Sequence, residues 1–90
     1  MTEKVWVFHA DNGQLAGAVF STVECAEAWI GKHALNGLLT SYPLDIGAFE
    51  FAVEQGHFTP KKEAHHTGAF IGAFSGGQEH HHYKDGKRQT

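Results

Sequence analysis

The residues best suited to chemistry lie in one short run, Glu79-His80-His81-His82-Tyr83. On an extended strand successive side chains alternate between faces, so His80 and His82 would share one face and His81 and Tyr83 the other. Two imidazoles at that spacing can ligate Zn²⁺ or a similar ion. A third ligand from His9, His57, His65 or His66 would complete a site with an open position, the arrangement used in metal-dependent hydrolysis. The competing reading is structural: His81 and Tyr83 pack on one face while His80 and His82 lie on the other or at an exposed edge. No cofactor motif is present and none is expected; zinc is the alternative this pattern admits.

The other reactive side chains have simpler explanations. Cys25 falls in the first turn of an expected helix, where the dipole lowers a thiol pKa, but a small packing residue accounts for it as well. Glu50 and Glu54 share a helical face at i, i+4 and read as a solvated surface. Lys61, Lys62, His65 and His66 make a local basic cluster, too small for nucleic acid. Gly68, Gly72, Gly76 and Gly77 lack the spacing and strand–helix context of a phosphate loop. Trp6, Phe8 and Trp29 could line an aromatic pocket for a small ligand, with His9 at the rim of a shallow cavity. No complete catalytic set is present, and no residue is assigned a catalytic role.

These side chains must be positioned by a sheet and its helices. Lys4–His9 is rich in β-branched and aromatic residues and reads as a strand. Asn12-Gly13 is a strong hairpin signal, and a two-residue turn there pairs Phe8 with Gly17, Trp6 with Val19 and Val5 with Phe20. Neither face of that hairpin is polar, so helices or a partner subunit are expected to cover both. Ser21 with Glu24 has the form of a capping box, with Phe20 and Cys25 placed as a hydrophobic staple. The helix is expected over Thr22–Leu35, stopped at Asn36-Gly37. Leu38–Tyr42 is a short strand ended by Pro43. Asp45–Gly56 carries both alternation and helical spacing; helix is the reading adopted, with Asp45 as cap and Gly56 as terminator. Residues 57–67 read as a loop. Ala69–Phe74 reads as a strand joined through a Gly76-Gly77 turn to Gln78–Lys84, and residues 85–90 as a flexible tail.

Ninety residues suit one domain, here residues 1–84 plus the tail. A single cysteine excludes an intramolecular disulfide and fits a reducing cytoplasm. The N-terminus has no basic-then-apolar leader, and no apolar run approaches the roughly 20 residues of a membrane span. Seven Lys and Arg against ten Asp and Glu give a net charge of −3, which argues against charge-driven nucleic-acid binding.

Several segments resemble a family of small bacterial domains of unknown function, some borne on mobile gene cassettes. They are Val5–Asn12, Val19–Thr22, Ala28–Ile30, Gly37–Pro43 and Gly56–Phe58. A looser similarity links the chain to other short domains that open with a strand, Val-Phe-Ser-Thr and a helix. The resemblance implies an α+β fold and brings no catalytic or binding residues. The expected architecture is therefore α+β in the order β-β-α-β-α-β-β, with an antiparallel or mixed sheet of about five strands. The expected function is a small cytoplasmic, non-enzymatic binding module (accessory, adaptor or immunity-like), homodimeric or bound to a protein partner. The metal reading on His80 and His82 and the aromatic-pocket reading stand as alternatives.

Overall fold

The computed structural model describes residues 3–76 and 78–90. In its sheet β1 (Lys4–Ala10), the strand-forming run that opens the chain, lies between β2 (Ala18–Phe20) and β3 (Gly37–Pro43), the central strand. Next to β3 comes β4 (His80–Lys84), and β5 (Lys87–Arg88) closes the edge. The five-stranded sheet has the order β2-β1-β3-β4-β5 and is antiparallel at every pairing. Three helices accompany it: α1 (Val23–Lys32), α2 (Ala48–Glu54) and α3 (Gly68–Ala73), with a 3₁₀ turn at Glu63–His66 before the last. The fold class is thus α+β, with one helix more than expected.

One face of the sheet is covered. Trp6 and Phe8 of β1, Leu39 of β3 and Tyr83 of β4 point to it and meet Ala26 and Ile30 of α1 in a common core. Trp29 adds an edge-on contact to Phe8 and a tilted one to Phe20, each with ring centres 5.6 Å apart. Those contacts set the first hairpin. The pairing observed is Trp6 with Phe20, Val7 with Val19 and Phe8 with Ala18, one residue away from the register expected for a two-residue Asn12-Gly13 turn. A one-residue slip sends a whole strand to the other face. Here it places Phe20 on the core beside Trp29 and leaves Val19 61% exposed. Burial of Phe20 outweighs the local turn preference, and the connection becomes a longer loop with a turn closed by the Gly13 amide on the Ala10 carbonyl.

The start and stop of α1 also differ from expectation. Thr22, not Ser21, is the N-cap, its Oγ1 accepting from the Cys25 amide at 3.1 Å. Cys25 is exposed and packs on nothing in the core. At the other end Ala34 takes a left-handed conformation (φ 51°). The Leu35 amide bonds the Ile30 carbonyl and the Ala34 amide bonds the Gly31 carbonyl, the double closure of a Schellman motif. The stop therefore precedes Asn36-Gly37. Gly37 serves a different need: it begins β3 so close to β1 that an added Cβ would lie 2.7 Å from Phe8 Cζ.

The ambiguous segment is a helix, shorter than expected. Asp45 is left-handed (φ 64°) in the preceding turn, Gly47 occupies the N-cap without a side-chain bond, and Gly56 (φ 76°) ends α2 as expected. The expected strand Ala69–Phe74 is instead α3. Thr67 caps it, accepting from the Phe70 amide at 3.2 Å. Phe70 and Phe74 fit alternation and helical i, i+4 spacing equally well, and both pack against Phe49 and Phe58. That aromatic cluster is a second small core, tying α2 to α3. The Gly76-Gly77 turn expected next lies outside the described residues at Gly77. Residues 85–90, expected as a tail, contain β5. Asp85 (φ 51°) and Gly86 (φ 80°) have the two positive φ values of a tight hairpin turn. The turn is anchored by the Asn36 Oδ1 and the Leu35 carbonyl, 2.7 and 2.9 Å from the Asp85 and Gly86 amides.

Candidate functional site

Alternation along the strands puts Trp6, Phe8, Leu39, His81 and Tyr83 under α1 and sends their neighbours to the opposite face. The registers arrange that second face in rows: Val19, Val7, Thr40 and His80 in one, His9, Leu38 and His82 in the next. Val5 and Tyr42 form a further pair. Val19 and Tyr42 are 61% and 37% exposed, and His9, His80 and His82 are exposed. Of the two faces expected to be covered by helices or a partner subunit, one is covered by α1 within this chain.

His80 and His82 do share a face, as strand alternation requires. Their ring centres are 5.2 Å apart and nearly perpendicular, at 83°. Together with Leu38, Thr40 and Tyr42 of β3 they line a groove of about 300 Å³, also bordered by Ser75 and Gln78. His80 Nδ1 lies 3.3 Å from the Gln78 carbonyl oxygen. The Gln78 Oε1 accepts from the Gly76 amide at 2.6 Å, while its Nε2 is buried without a partner among the described residues. This side of the groove had no sequence signal, because it depends on where Ser75, Gly76 and Gln78 lie against β3 and β4.

His81 faces the other way, stacked on Trp6 with ring centres 5.7 Å apart and its Nε2 3.8 Å from Glu79 Oε2. Glu79 also pairs with Lys4 at 3.3 Å. The expected third metal ligand is not supplied by this chain: among the described residues no group of three or more His, Cys, Asp or Glu side chains is placed to hold an ion. His65 is committed elsewhere. Its Nδ1 accepts from the Lys61 and Lys62 amides at 3.1 and 3.3 Å, and its ring lies 4.8 Å from Phe70. His9 is separated from His82 by Leu38 in the same row.

Of the residues expected to line an aromatic pocket, Trp6 and Phe8 are 4% and 1% exposed and belong to the main core. Trp29 is half-buried between Phe8, Phe20 and His33. An aromatic cavity does exist, of about 430 Å³, but Phe58, Phe70 and Phe74 line it. Those residues are brought together by α3, the element that sequence alternation disguised.

A polar cluster at the other end of β4 was not anticipated. Tyr83 donates its O–H to Glu27 Oε2 at 2.6 Å, and Arg88 donates to the same oxygen, also at 2.6 Å. The Tyr83 bond, opposed by partial burial and helped by Arg88, holds the Glu27 carboxyl below its ordinary value. Burial, and then the adjacent carboxylate, push the Tyr83 hydroxyl up to about 12. The cluster straps the C-terminal hairpin to α1. Its Asp85-Gly86 turn, the local signal for that hairpin, was present in the sequence.

The architecture defines a small α+β domain: a five-stranded antiparallel sheet with three helices, α1 packed on one face. The chain belongs to the DUF7710 family, a domain of unknown function, whose model matches residues 5–89. No curated protein and no solved structure matches the chain. Among the described residues, no helix is long and apolar enough to cross a membrane.

Proposed function

We propose that this domain is a non-enzymatic binding module that buries its open sheet face against a second copy of itself. The observation that carries this reading is the apolar face opposite α1, where exposed Val19 and Tyr42 lie beside half-buried Val5, Val7 and Leu38 on β2, β1 and β3. Contiguous apolar surface of this kind on a soluble domain marks an interaction site. Its chemistry favours a second copy. Lys84 at the margin is the one Lys, Arg, Asp or Glu on this face of β1, β3 and β4, so two faces related by a two-fold bring no like charges to the centre.

The size of the face sets the strength. With strands about 4.8 Å apart and rising about 3.3 Å per residue, β1 to β4 give a footprint of roughly 350 Å² in projection. That is below the size of a standard stable interface, so the proposed association is a weak, transient one. An accessory, adaptor or immunity-like role suits such a module. The bacterial, cassette-borne character of related domains belongs to the same proposal and rests on the sequence resemblance.

Sedimentation velocity from about 5 to 500 µM tests the reading. The wild-type chain should shift from monomer to dimer, and Val19→Glu should remain monomeric with an unchanged thermal melt. A wild-type chain that stays monomeric across the whole range overturns it.

A further inference from the structure

We infer that His80 and His82 form a binding site for a divalent first-row transition ion, with the remaining coordination positions open to water or an exogenous ligand. The site does not require the second copy. The inference rests on three features of the groove.

The first is the spacing of the rings. A tetrahedral ion sits about 2.05 Å from each imidazole nitrogen, and each ring centre lies about 1.1 Å beyond its nitrogen, so two coordinating rings have centres about 5 Å apart. The centres of His80 and His82 are 5.2 Å apart. Pairing of β4 to β3 through Leu38–His82 and Thr40–His80 keeps both side chains on one face two residues apart, within reach of a common ion once the rings turn their nitrogens toward it. The sheet thus brings the two ligands together, and the rotamer ordering of the exposed rings is met when the ion binds.

The second is the contact behind His80. Its Nδ1 faces the Gln78 carbonyl oxygen at 3.3 Å. A carbonyl can only accept, so Nδ1 is the protonated nitrogen in this contact and Nε2 is the one left to face an ion. Histidines that ligate metals make this kind of bond through their second nitrogen. In the single chain both rings are exposed, which leaves an approach path from solvent.

The third is the character of the groove. Its polar lining is imidazole, hydroxyl and amide, with no carboxylate. Glu79, the nearest acid in sequence, is taken up on the covered side by Lys4 and His81. Hard ions such as Mg²⁺ and Ca²⁺ need several oxygen ligands, usually with carboxylates among them, and are poorly served here. Two nitrogen donors favour Cu²⁺, Ni²⁺ and Zn²⁺, with Cu²⁺ the tightest in the usual order. With two protein ligands the ion is held less firmly than at a closed structural site and keeps positions for a second molecule.

Isothermal titration of the untagged protein with CuCl₂ and ZnCl₂ tests the site, paired with imidazole ¹⁵N NMR to identify the rings that shift. One ion per chain is expected, with Cu²⁺ tighter than Zn²⁺, and with His80 and His82 resonances moving first. His80→Ala and His82→Ala should each weaken binding at least tenfold, while His81→Ala and His66→Ala should leave it within twofold. Both rings of the pair are exposed, so the two test variants should melt as the wild type does; His80→Gln provides a polar control. Undiminished binding in the His80→Ala/His82→Ala double variant, or equal loss in His66→Ala, would show adventitious binding only and overturn the inference. A monomeric protein that still binds one ion at this pair supports the site while removing the dimer, so the two proposals fail separately.

Discussion

Replacing Tyr83 by Phe removes one hydroxyl from the strap between α1 and the C-terminal hairpin, and its consequence changes with pH. Tyr83 is 4% exposed, and its O–H bonds Glu27 Oε2 at 2.6 Å. The ring and its packing remain in the variant. Glu27 keeps Arg88 as a donor and, with its side chain 36% exposed, keeps water as well, so no charge is orphaned. A hydrogen bond to a charged group contributes about 1.5–3 kcal/mol when buried, and partial exposure of the acceptor brings this to about 1 kcal/mol. For a domain of this size that is a Tm lower by about 4–8 °C at neutral pH. Alkali reverses the comparison. The folded-state pKa of Tyr83 is raised from 10.0 to about 12. A raised pKa means the unfolded chain loses the proton first, so the stabilisation is whole below pH 10 and is lost as pH rises through 12. At about 1.4 kcal/mol per unit, the wild type loses roughly 1.4 kcal/mol by about pH 11. The variant has no such group, and its disadvantage should close near that pH. Urea melts followed by circular dichroism at half-unit steps from pH 8 to 11 measure the gap. A gap that stays constant over that range would refute the reasoning, because it would mean the hydroxyl does not hold its proton more tightly in the fold.

Two further predictions follow from backbone contacts. Thr22→Ala should cost about 1 kcal/mol through loss of the α1 cap, while Ser21→Ala should stay within about 0.5 kcal/mol; equal losses in thermal melts would count against Thr22 as the cap. Gly37→Ala should cost about 1–3 kcal/mol or more, since the new Cβ would press on Phe8 Cζ and on the β1 backbone at His9 and Ala10. Gly72→Ala, with nothing within 4 Å in its way, should be neutral or stabilising by about 0.5–1 kcal/mol; parallel denaturation curves that fail to separate the two would show that β1 and β3 are not as close as described.

Much of the candidate site was legible because it depends on period-two geometry alone. A strand through His80–Tyr83 necessarily divides the histidines between faces, and the structure places His81 on Trp6 and the His80/His82 pair on the opposite side. What sequence could not supply was the groove's other side, at Ser75 and Gln78, or the absence of a third ligand from this chain among the described residues. Both depend on contacts between segments far apart in the chain. The aromatic pocket was misplaced for a related reason. Trp6, Phe8 and Phe70 are all large and apolar, and only packing decides which are fully enclosed and which border a cavity.

The sequence by itself determined the α+β class, the positions of β1, β3 and β4, the helical character of residues 23–32, and Gly56 as a terminator. Each follows from local spacing, propensity or an obligatory left-handed residue. Tertiary structure alone decided the register of the first hairpin, where burying Phe20 beside Trp29 overrode the Asn12-Gly13 turn. It also decided the nature of residues 68–73, because Phe70 and Phe74 satisfy a strand and a helix alike until Phe49 and Phe58 are in place. And it left one face of the sheet open, which no local pattern states, since the same alternating apolar residues serve a covered face and an uncovered one.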